Sequence, residues 1–362
     1  MQNFKKKISI ITDSLSIGGA ERVAAKLSIE LYEMGFDVSV ICLRNEITYP
    51  YKGKLYNLGV DESRIKLIKQ FSKLIKFKLA YQKANADYYI DFRIRSRFWM
   101  ELLLNVFVFD ISKMMFSIRN YKIHLHIPKF KCFYKAYNKA HAIVGPSRDI
   151  ISKMKSIYPF QNLVYIPNFY SSNQQLTIPH KSIINTPYVL AVGRLDNSTK
   201  QFDKLIEAYS NTELVGDKVP LIIIGEGKDR VNLEEKIKQL RLEDLVHLEG
   251  FKKEVYTYMK FANFLVMSSY VEGFPNTLLE SLVVGTPVIS FDCPSGPSEL
   301  IIDGENGLLV ENQNFELLIS AMNKMHTDQV FYKHCKADAI SSVEKFSSGN
   351  VISKWRQLFE KQ

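Results

Sequence analysis

Residues 267–310 read MSSYVEGFPNTLLESLVVGTPVISFDCPSGPSELIIDGENGLLV. Just before them, Phe264, Leu265 and Val266 form a short apolar run of the kind buried parallel strands use, and the polar Ser268 and Ser269 end it. A loop carrying Glu272 follows. Pro275 suits the first turn of a helix because it has no amide hydrogen and a fixed φ, and Gly285 with Pro287 supplies the stop, so the spacing predicts a helix of about ten residues. Leu278, Leu279, Leu282 and Val283 recur at helical spacing and face a core, with Glu280 one to two turns inside. The amides of Asn276 and Thr277 are expected to be unpaired at the helix start, where free donors and the positive end of the dipole seat an anion such as a diphosphate. Glu272 and Glu280 then flank that anion as acceptors for hydroxyls, each such bond contributing about 1.5–3 kcal/mol. The plainer alternative is a capped surface helix with two solvated glutamates.

The spacing does not stand alone. The order E-G-F-P-N-T-L-L-E, G-T-P-V-I-S, G-P-S-E and D-G-E-N-G-L-L-V resembles the C-terminal domain of the retaining glycosyltransferases of family 4. That resemblance implies an α/β fold of the GT-B type, two Rossmann-like domains facing a cleft. It also implies transfer of a sugar from a nucleoside-diphosphate sugar, UDP-linked, to a hydroxyl with retention at the anomeric carbon. By the same resemblance Glu280 holds the ribose hydroxyls and Glu272 the transferred sugar, which makes Glu272 the catalytic candidate. A double displacement needs a carboxylate nucleophile under the sugar, and the sequence places none there; family precedent is attack from the front face.

Working back along the C-terminal half, residues 188–192 read as a strand ended by Gly193, Arg194 and Leu195, with Lys200 at the start of a helix that carries Phe202, Leu205, Ile206 and Tyr209. Gly-Arg-Leu followed by Lys resembles the family's diphosphate clamp, and a planar fork paired with a point charge suits two phosphates. Residues 221–224 and 246–251 form further strands and turns, and resemblance places Phe251 beside the nucleotide base. Residues 351–359 have the spacing of an amphipathic helix, which in GT-B proteins crosses back onto the N-terminal domain. The expected division is therefore 1–170 with 345–362 as an acceptor-binding domain, 171–187 as linker, and 188–344 as the nucleotide-sugar domain.

In the N-terminal half, residues 8–11, a turn containing Gly18 and Gly19, an amphipathic helix and the strand 38–42 make a βαβ unit. The glycines lack G-x-G-x-x-G spacing, which argues against a dinucleotide oxidoreductase. In family 4 the corresponding S-x-G-G-A-E-R turn closes over the donor diphosphate, so Gly18 and Gly19 join Arg194, Lys200, Phe251, Pro275, Asn276, Thr277 and Glu280 as donor-binding candidates. Residues 49–59 read as an irregular loop. Strands are expected at 88–92, 113–118, 142–144 and 164–166, with helices at 98–107 and 130–139 between them. Arg93, Arg119 and Asn120 follow strands directly, so they sit at the carboxyl edge of the sheet and either meet an acceptor phosphate or cap carbonyls. His124 is a further acceptor-side candidate. With His126 it forms an x-H-x-H pair that a strand would place on one face, though without the neighbouring carboxylates or cysteines of a metal site.

The charge is uneven. Residues 1–180 hold 28 Lys plus Arg against 13 Asp plus Glu, and the rest 20 against 25, within an overall net charge of +10. Seven of those cations, Arg64, Lys66, Lys69, Lys73, Lys76, Lys78 and Lys83, fall in one acid-free stretch among apolar residues. Such a stretch can lie on anionic headgroups, each cation contributing about 1 kcal/mol, or form the solvated face of an ordinary helix. The first half is thus the part expected to meet an anionic partner, a membrane surface through which a lipid-linked or surface-polysaccharide precursor is reached. The four cysteines lie far apart, and no D-x-D motif is present, so neither disulfide nor bound metal nor other cofactor is expected. No apolar run of about 18 residues and no leader pattern appear, which places the expected site of action in the cytoplasm, on the inner face of the membrane. A catalytically silent nucleotide-sugar-binding subunit is the alternative, and no nucleic-acid-binding module is recognisable.

Overall fold

A computed structural model describes residues 5–360 except 17, 61–65, 129, 172–181 and 185, with backbone only for 66–71 and 132. The chain divides into two compact units, Met1–Phe169 with Ser348–Gln362, and Tyr170–Ser347. The stretch expected to be a linker falls largely outside the described residues.

The first unit runs β1 (Lys7–Thr12), α1 (Gly19–Glu33), β2 (Asp37–Cys42), β3 (Lys54–Asn57), α2 (Lys66–Ala84), β4 (Tyr88–Asp91), α3 (Phe98–Phe107), β5 (Met114–Ser117), α4 (Cys132–Lys139), β6 (Ala142–Gly145), α5 (Arg148–Ile157) and β7 (Leu163–Tyr165). The second runs β8 (Val189–Val192), α6 (Phe202–Ser210), α7 (Glu213–Gly216), β9 (Leu221–Ile224), α8 (Arg230–Gln239), β10 (Val246–Gly250), α9 (Val255–Phe261), β11 (Phe264–Met267), α10 (Asn276–Val283), β12 (Val288–Phe291), α11 (Pro297–Leu300), β13 (Gly307–Val310), α12 (Phe315–Thr327) and α13 (Gln329–Ser342). The last helix, α14 (Ser348–Glu360), belongs to the first unit.

Both sheets are parallel, in the orders β3-β2-β1-β4-β5-β6-β7 and β10-β9-β8-β11-β12-β13. Each order reverses direction once, between β1 and β4 and between β8 and β11. In open parallel sheets a crevice forms at that reversal, outside the carboxyl ends of the strands, and ligands bind there. The strands are near-continuous apolar runs because helices cover both faces. Ile8, Ile10 and Ile11 of β1 and Phe264, Leu265 and Val266 of β11 are all buried.

The segment 49–59 is corrected by the structure: part of it is β3, pairing with β2 at the sheet's edge. Its residues are only half buried, so no apolar alternation marks it. In contrast α10 matches its sequence reading closely. It spans eight residues, Pro275 stands at the N-cap, and Gly285 follows with φ +83°. Leu278, Leu279, Leu282 and Val283 are buried as expected, each contributing about 1.5–3 kcal/mol. The helix α14 lays Val351, Ile352, Trp355, Leu358 and Phe359 into the core that β1 and α1 build from Ile8, Ile10, Val23 and Leu27. Lys6 Nζ donates to the Phe359 carbonyl at 2.6 Å. Among the described residues no helix is long and apolar enough to cross a membrane.

Candidate functional site

The second unit brings its chemistry together at the reversal between β8 and β11. Beyond β8 the chain turns through Gly193, Arg194 and Leu195, where it is crossed by the turn after β9. Gly225 there has φ +149°, and a Cβ on it would collide with the Gly193 carbonyl, so only glycine fits. The Leu195 amide donates to the Glu226 carbonyl at 3.0 Å and fixes the crossing. Lys200 follows, ahead of α6 rather than within it. Its Nζ lies 2.5 Å from Glu272 Oε1 across the reversal, with side chains 17% and 12% exposed. Both residues are anchored by backbone. The Tyr270 amide donates to the Thr199 carbonyl at 2.8 Å, the Glu272 amide to the Pro294 carbonyl at 3.1 Å, and Ser268 Oγ to the Lys200 carbonyl at 2.8 Å.

Nothing in the sequence links Lys200 to Glu272, which are 72 positions apart; the topology does. An ammonium has three donors, so Lys200 can keep Glu272 and still donate twice to an incoming anion. Arg194 is exposed and has no acidic partner among the described residues. Phe251 is 59% exposed just past β10. Glu280 is buried at 2% exposure one turn into α10.

The helix start departs from expectation in one respect. The Asn276 amide is not unpaired, because it donates to the Phe274 carbonyl at 2.9 Å, while Leu278 and Leu279 donate to Pro275. The tight turn forced by Phe274 and Pro275 uses the first donor. No acceptor for the Thr277 amide is found among the described residues. Gly296 lies against this turn, where a Cβ would come within 2.6 Å of Pro275 Cδ. Near the pair, burial first and the Glu272 charge second push the Cys293 thiol well above its usual range, so it stays protonated.

In the first unit Gly18 caps α1 and Gly19 opens it, with the Gly18 amide 3.5 Å from Tyr49 Oη. The four acceptor-side candidates separate. Arg93 is not an arginine awaiting a phosphate: it is 4% exposed and donates to both oxygens of Asp91, at 3.0 and 2.8 Å, and of Glu101, at 3.1 and 3.2 Å. Fully buried Arg95 donates to the carbonyls of His126, Asp91, Arg93 and Ser117. Two arginines and two carboxylates thus form a neutral buried knot under the carboxyl edge of β4 and β5. Burial alone would raise the Asp91 carboxyl, and Arg93 with Arg95 outweighs it and holds the group below the usual range. The sequence reading missed Asp91, Arg95 and Glu101, for which the only signal was an acid two residues before Arg93.

Arg119 Nη1 donates to Asn168 Oδ1 at 2.5 Å, its guanidinium lies 4.3 Å from the Phe92 ring, and its Nε has no partner. Burial, unopposed by any carboxylate, lowers it to about 9. Asn120 Oδ1 accepts from the Lys122 amide at 2.8 Å. His124 is exposed and His126 is buried, because residues 123–125 form a short 3₁₀ helix and not a strand, so the two histidines do not share a face.

Burial, together with Arg95, lowers His126 to about 3. Unfolded, a histidine takes its proton near pH 6.5, so between those values the unfolded chain holds one proton more. Stability from this group is therefore full above pH 6.5 and is lost as pH falls. Between pH 6.5 and 5 the loss is about 2 kcal/mol, and His126→Gln removes that dependence. Urea unfolding of both proteins at pH 7 and pH 5 checks it; equal pH dependence would mean His126 titrates freely.

Comparison with known proteins agrees with this architecture. Residues 174–341 match the family model described as glycosyl transferases group 1. The amylovoran biosynthesis glycosyltransferase AmsD of Erwinia amylovora is 26% identical over 97% of this chain and 99% of its own. The N-acetylgalactosamine-N,N'-diacetylbacillosaminyl-diphospho-undecaprenol 4-alpha-N-acetylgalactosaminyltransferase of Campylobacter jejuni is 29% identical over 96% and 97%. Among solved structures, S. aureus TarM in complex with fondaparinux, alpha-GlcNAc-glycerol and UDP superposes with a TM-score of 0.80 at 15% identity, covering 99% of this chain and 100% of that one. With two parallel-sheet units, a family match over the second and relatives aligned along nearly their whole length, the chain is a glycosyltransferase of GT-B fold whose second unit is similar to the group 1 glycosyltransferases.

Proposed function

We propose that the protein moves a sugar, with retention, from a UDP-sugar to a hydroxyl of a lipid-linked or surface-polysaccharide precursor, working on the inner face of the cytoplasmic membrane. The observation that carries this reading is the Lys200–Glu272 pair at the reversal of the second sheet. Lys200 and Arg194 meet the charge that develops on the departing diphosphate, a role that pre-set cations fill without reorganisation, and no metal is needed for it. Glu272 Oε2, the oxygen not held by Lys200, accepts from a hydroxyl of the transferred sugar. Glu280 and the Thr277 amide serve the nucleotide. TarM binds UDP in its solved complex, which supports the donor half of the reading. The Campylobacter relative takes its name from a diphospho-undecaprenol saccharide, which supports the acceptor half.

The test is a thermal-shift screen of UDP- and GDP-sugars followed by turnover on polyprenyl-diphosphate-linked saccharides in the presence of EDTA. A donor at 100 times its Kd stabilises the folded protein by about 2.7 kcal/mol. Release of UDP and a coupling at the new anomeric proton that matches that of the donor are expected. Response to GDP-sugars alone, inversion, or loss of turnover on chelation would each overturn the corresponding part.

A further inference from the structure

The helix α3, FWMELLLNVF, wears apolar side chains on its outer face. Trp99, Leu103, Val106 and Phe107 follow the i, i+4, i+7, i+8 spacing of a single stripe, and they are 73%, 36%, 61% and 61% exposed. A helix covering a sheet normally shows polar residues there. Its one acid, Glu101, is turned inward onto Arg93, so no charge interrupts the stripe. Exposed Phe130 extends the surface, its ring 4.4 Å from Phe98, and exposed Ile94 borders it. Beside α3 lies α2, since Lys73, Leu74 and Phe77 of α2 and Met100 and Leu104 of α3 line the same cavity, with Arg97 just ahead of α3. Ile75 and Leu79 are exposed on α2, together with Lys78 and Lys83. Arg64 lies outside the described residues, as do the side chains of Lys66 and Lys69.

We propose that the outer face of α3 inserts into the headgroup boundary of an anionic bilayer, with the lysines of α2 on the phosphates beside it. This deepens the membrane reading given above and rests on it. A folded protein partner would need hydrogen-bonding groups on the rim to set its register, whereas this face offers bare apolar side chains and a cationic border, the chemistry that a fluid apolar phase under anionic headgroups satisfies. Tryptophan with its ring at that boundary is the expected anchor. The cavity shared by α2 and α3 is lined by Arg44, Lys73 and Arg97 together with Asp13 and the Arg93–Glu101 pair, among apolar walls, and under this proposal it is the place where a headgroup of the same bilayer would enter.

The chain has two tryptophans, and Trp355 is buried, so Trp99 is a ready reporter. Trp355→Phe isolates its emission; if that variant misfolds, subtracting the spectrum of Trp99→Phe from that of the unaltered protein gives the same signal. With phosphatidylglycerol vesicles, Trp99 emission should shift to the blue and be quenched by brominated acyl chains. Replacing Trp99, Val106 and Phe107 together by serine should weaken co-sedimentation at least about tenfold. Co-sedimentation without shift or quenching would overturn insertion while leaving an electrostatic membrane contact in place. Absence of co-sedimentation with any vesicle would overturn the membrane reading itself. A blue shift that grows with protein concentration without vesicles, with sedimentation as a dimer, would assign the face to a second copy and overturn the proposal.

Discussion

Lys200→Ala is expected to lower kcat/KM by about 100- to 1000-fold, the range seen when one pre-set donor to a developing anion is removed. The loss has two sources. The cation that meets the diphosphate disappears, and Glu272, only 12% exposed, is left without its partner beside a site that must take another negative group. Glu272→Gln acts differently. It releases Lys200 for phosphate, so affinity for free UDP should hold or rise, while turnover falls about 100-fold because the ionised acceptor for the reacting sugar is gone. The double variant separates the two sources: it should recover part of the UDP affinity lost in Lys200→Ala, since the repulsive carboxylate is gone. Calorimetry with UDP and steady-state kinetics on all three proteins provide the check. A less than tenfold effect of Lys200→Ala, or no recovery in the double variant, would remove the pair from the mechanism.

Arg93→Met should cost about 3–5 kcal/mol of stability in the first unit, because removing one partner of a buried ion pair strands the others. Here two carboxylates, Asp91 and Glu101, lose their shared cation while both remain buried. The guanidinium also packs 5.4 Å from the Phe77 ring and 5.7 Å from that of Phe109, contacts that methionine keeps in part. Adding Glu101→Leu to Arg93→Met should return some of the stability by removing one stranded charge. Denaturant unfolding followed by near-ultraviolet dichroism reads the difference. A cost below about 1 kcal/mol would show that solvent reaches the knot.

These two expectations differ in how far the sequence alone led to them. Local rules sufficed for α10, where a proline start, leucine spacing and a glycine stop all lie within a dozen residues, and for the β-rich runs of both sheets. They failed for β3, whose Lys-Leu-Tyr-Asn has neither alternation nor an apolar run because it pairs on one side only. They failed also at His124 and His126, where the x-H-x-H spacing fits a strand and the chain instead turns in a 3₁₀ helix. Arg93 was legible as a residue at the carboxyl edge of the sheet. That it is already engaged by Glu101 was not, since the acid reaches it from the next helix. The meeting of Lys200 with Glu272 likewise depends on β8 and β11 being neighbours, a property of strand order and not of spacing.

The placement of α14 bears on how the molecule comes off the ribosome. The first unit needs Trp355 and Phe359 against Ile8 and Ile10 to close its core, so a segment translated after the second unit completes the unit begun before it. The usual vectorial order, amino-terminal domain first, is therefore interrupted. Residues 170–347 form an insertion that can mature while its host waits half-built, with the apolar faces of β1 and α1 uncovered until α14 has been made. Nascent chains of this protein are thus most exposed to chaperone capture and to aggregation through the unit begun before the insertion, and a stop codon just before Ser348 harms that unit rather than the one it adjoins.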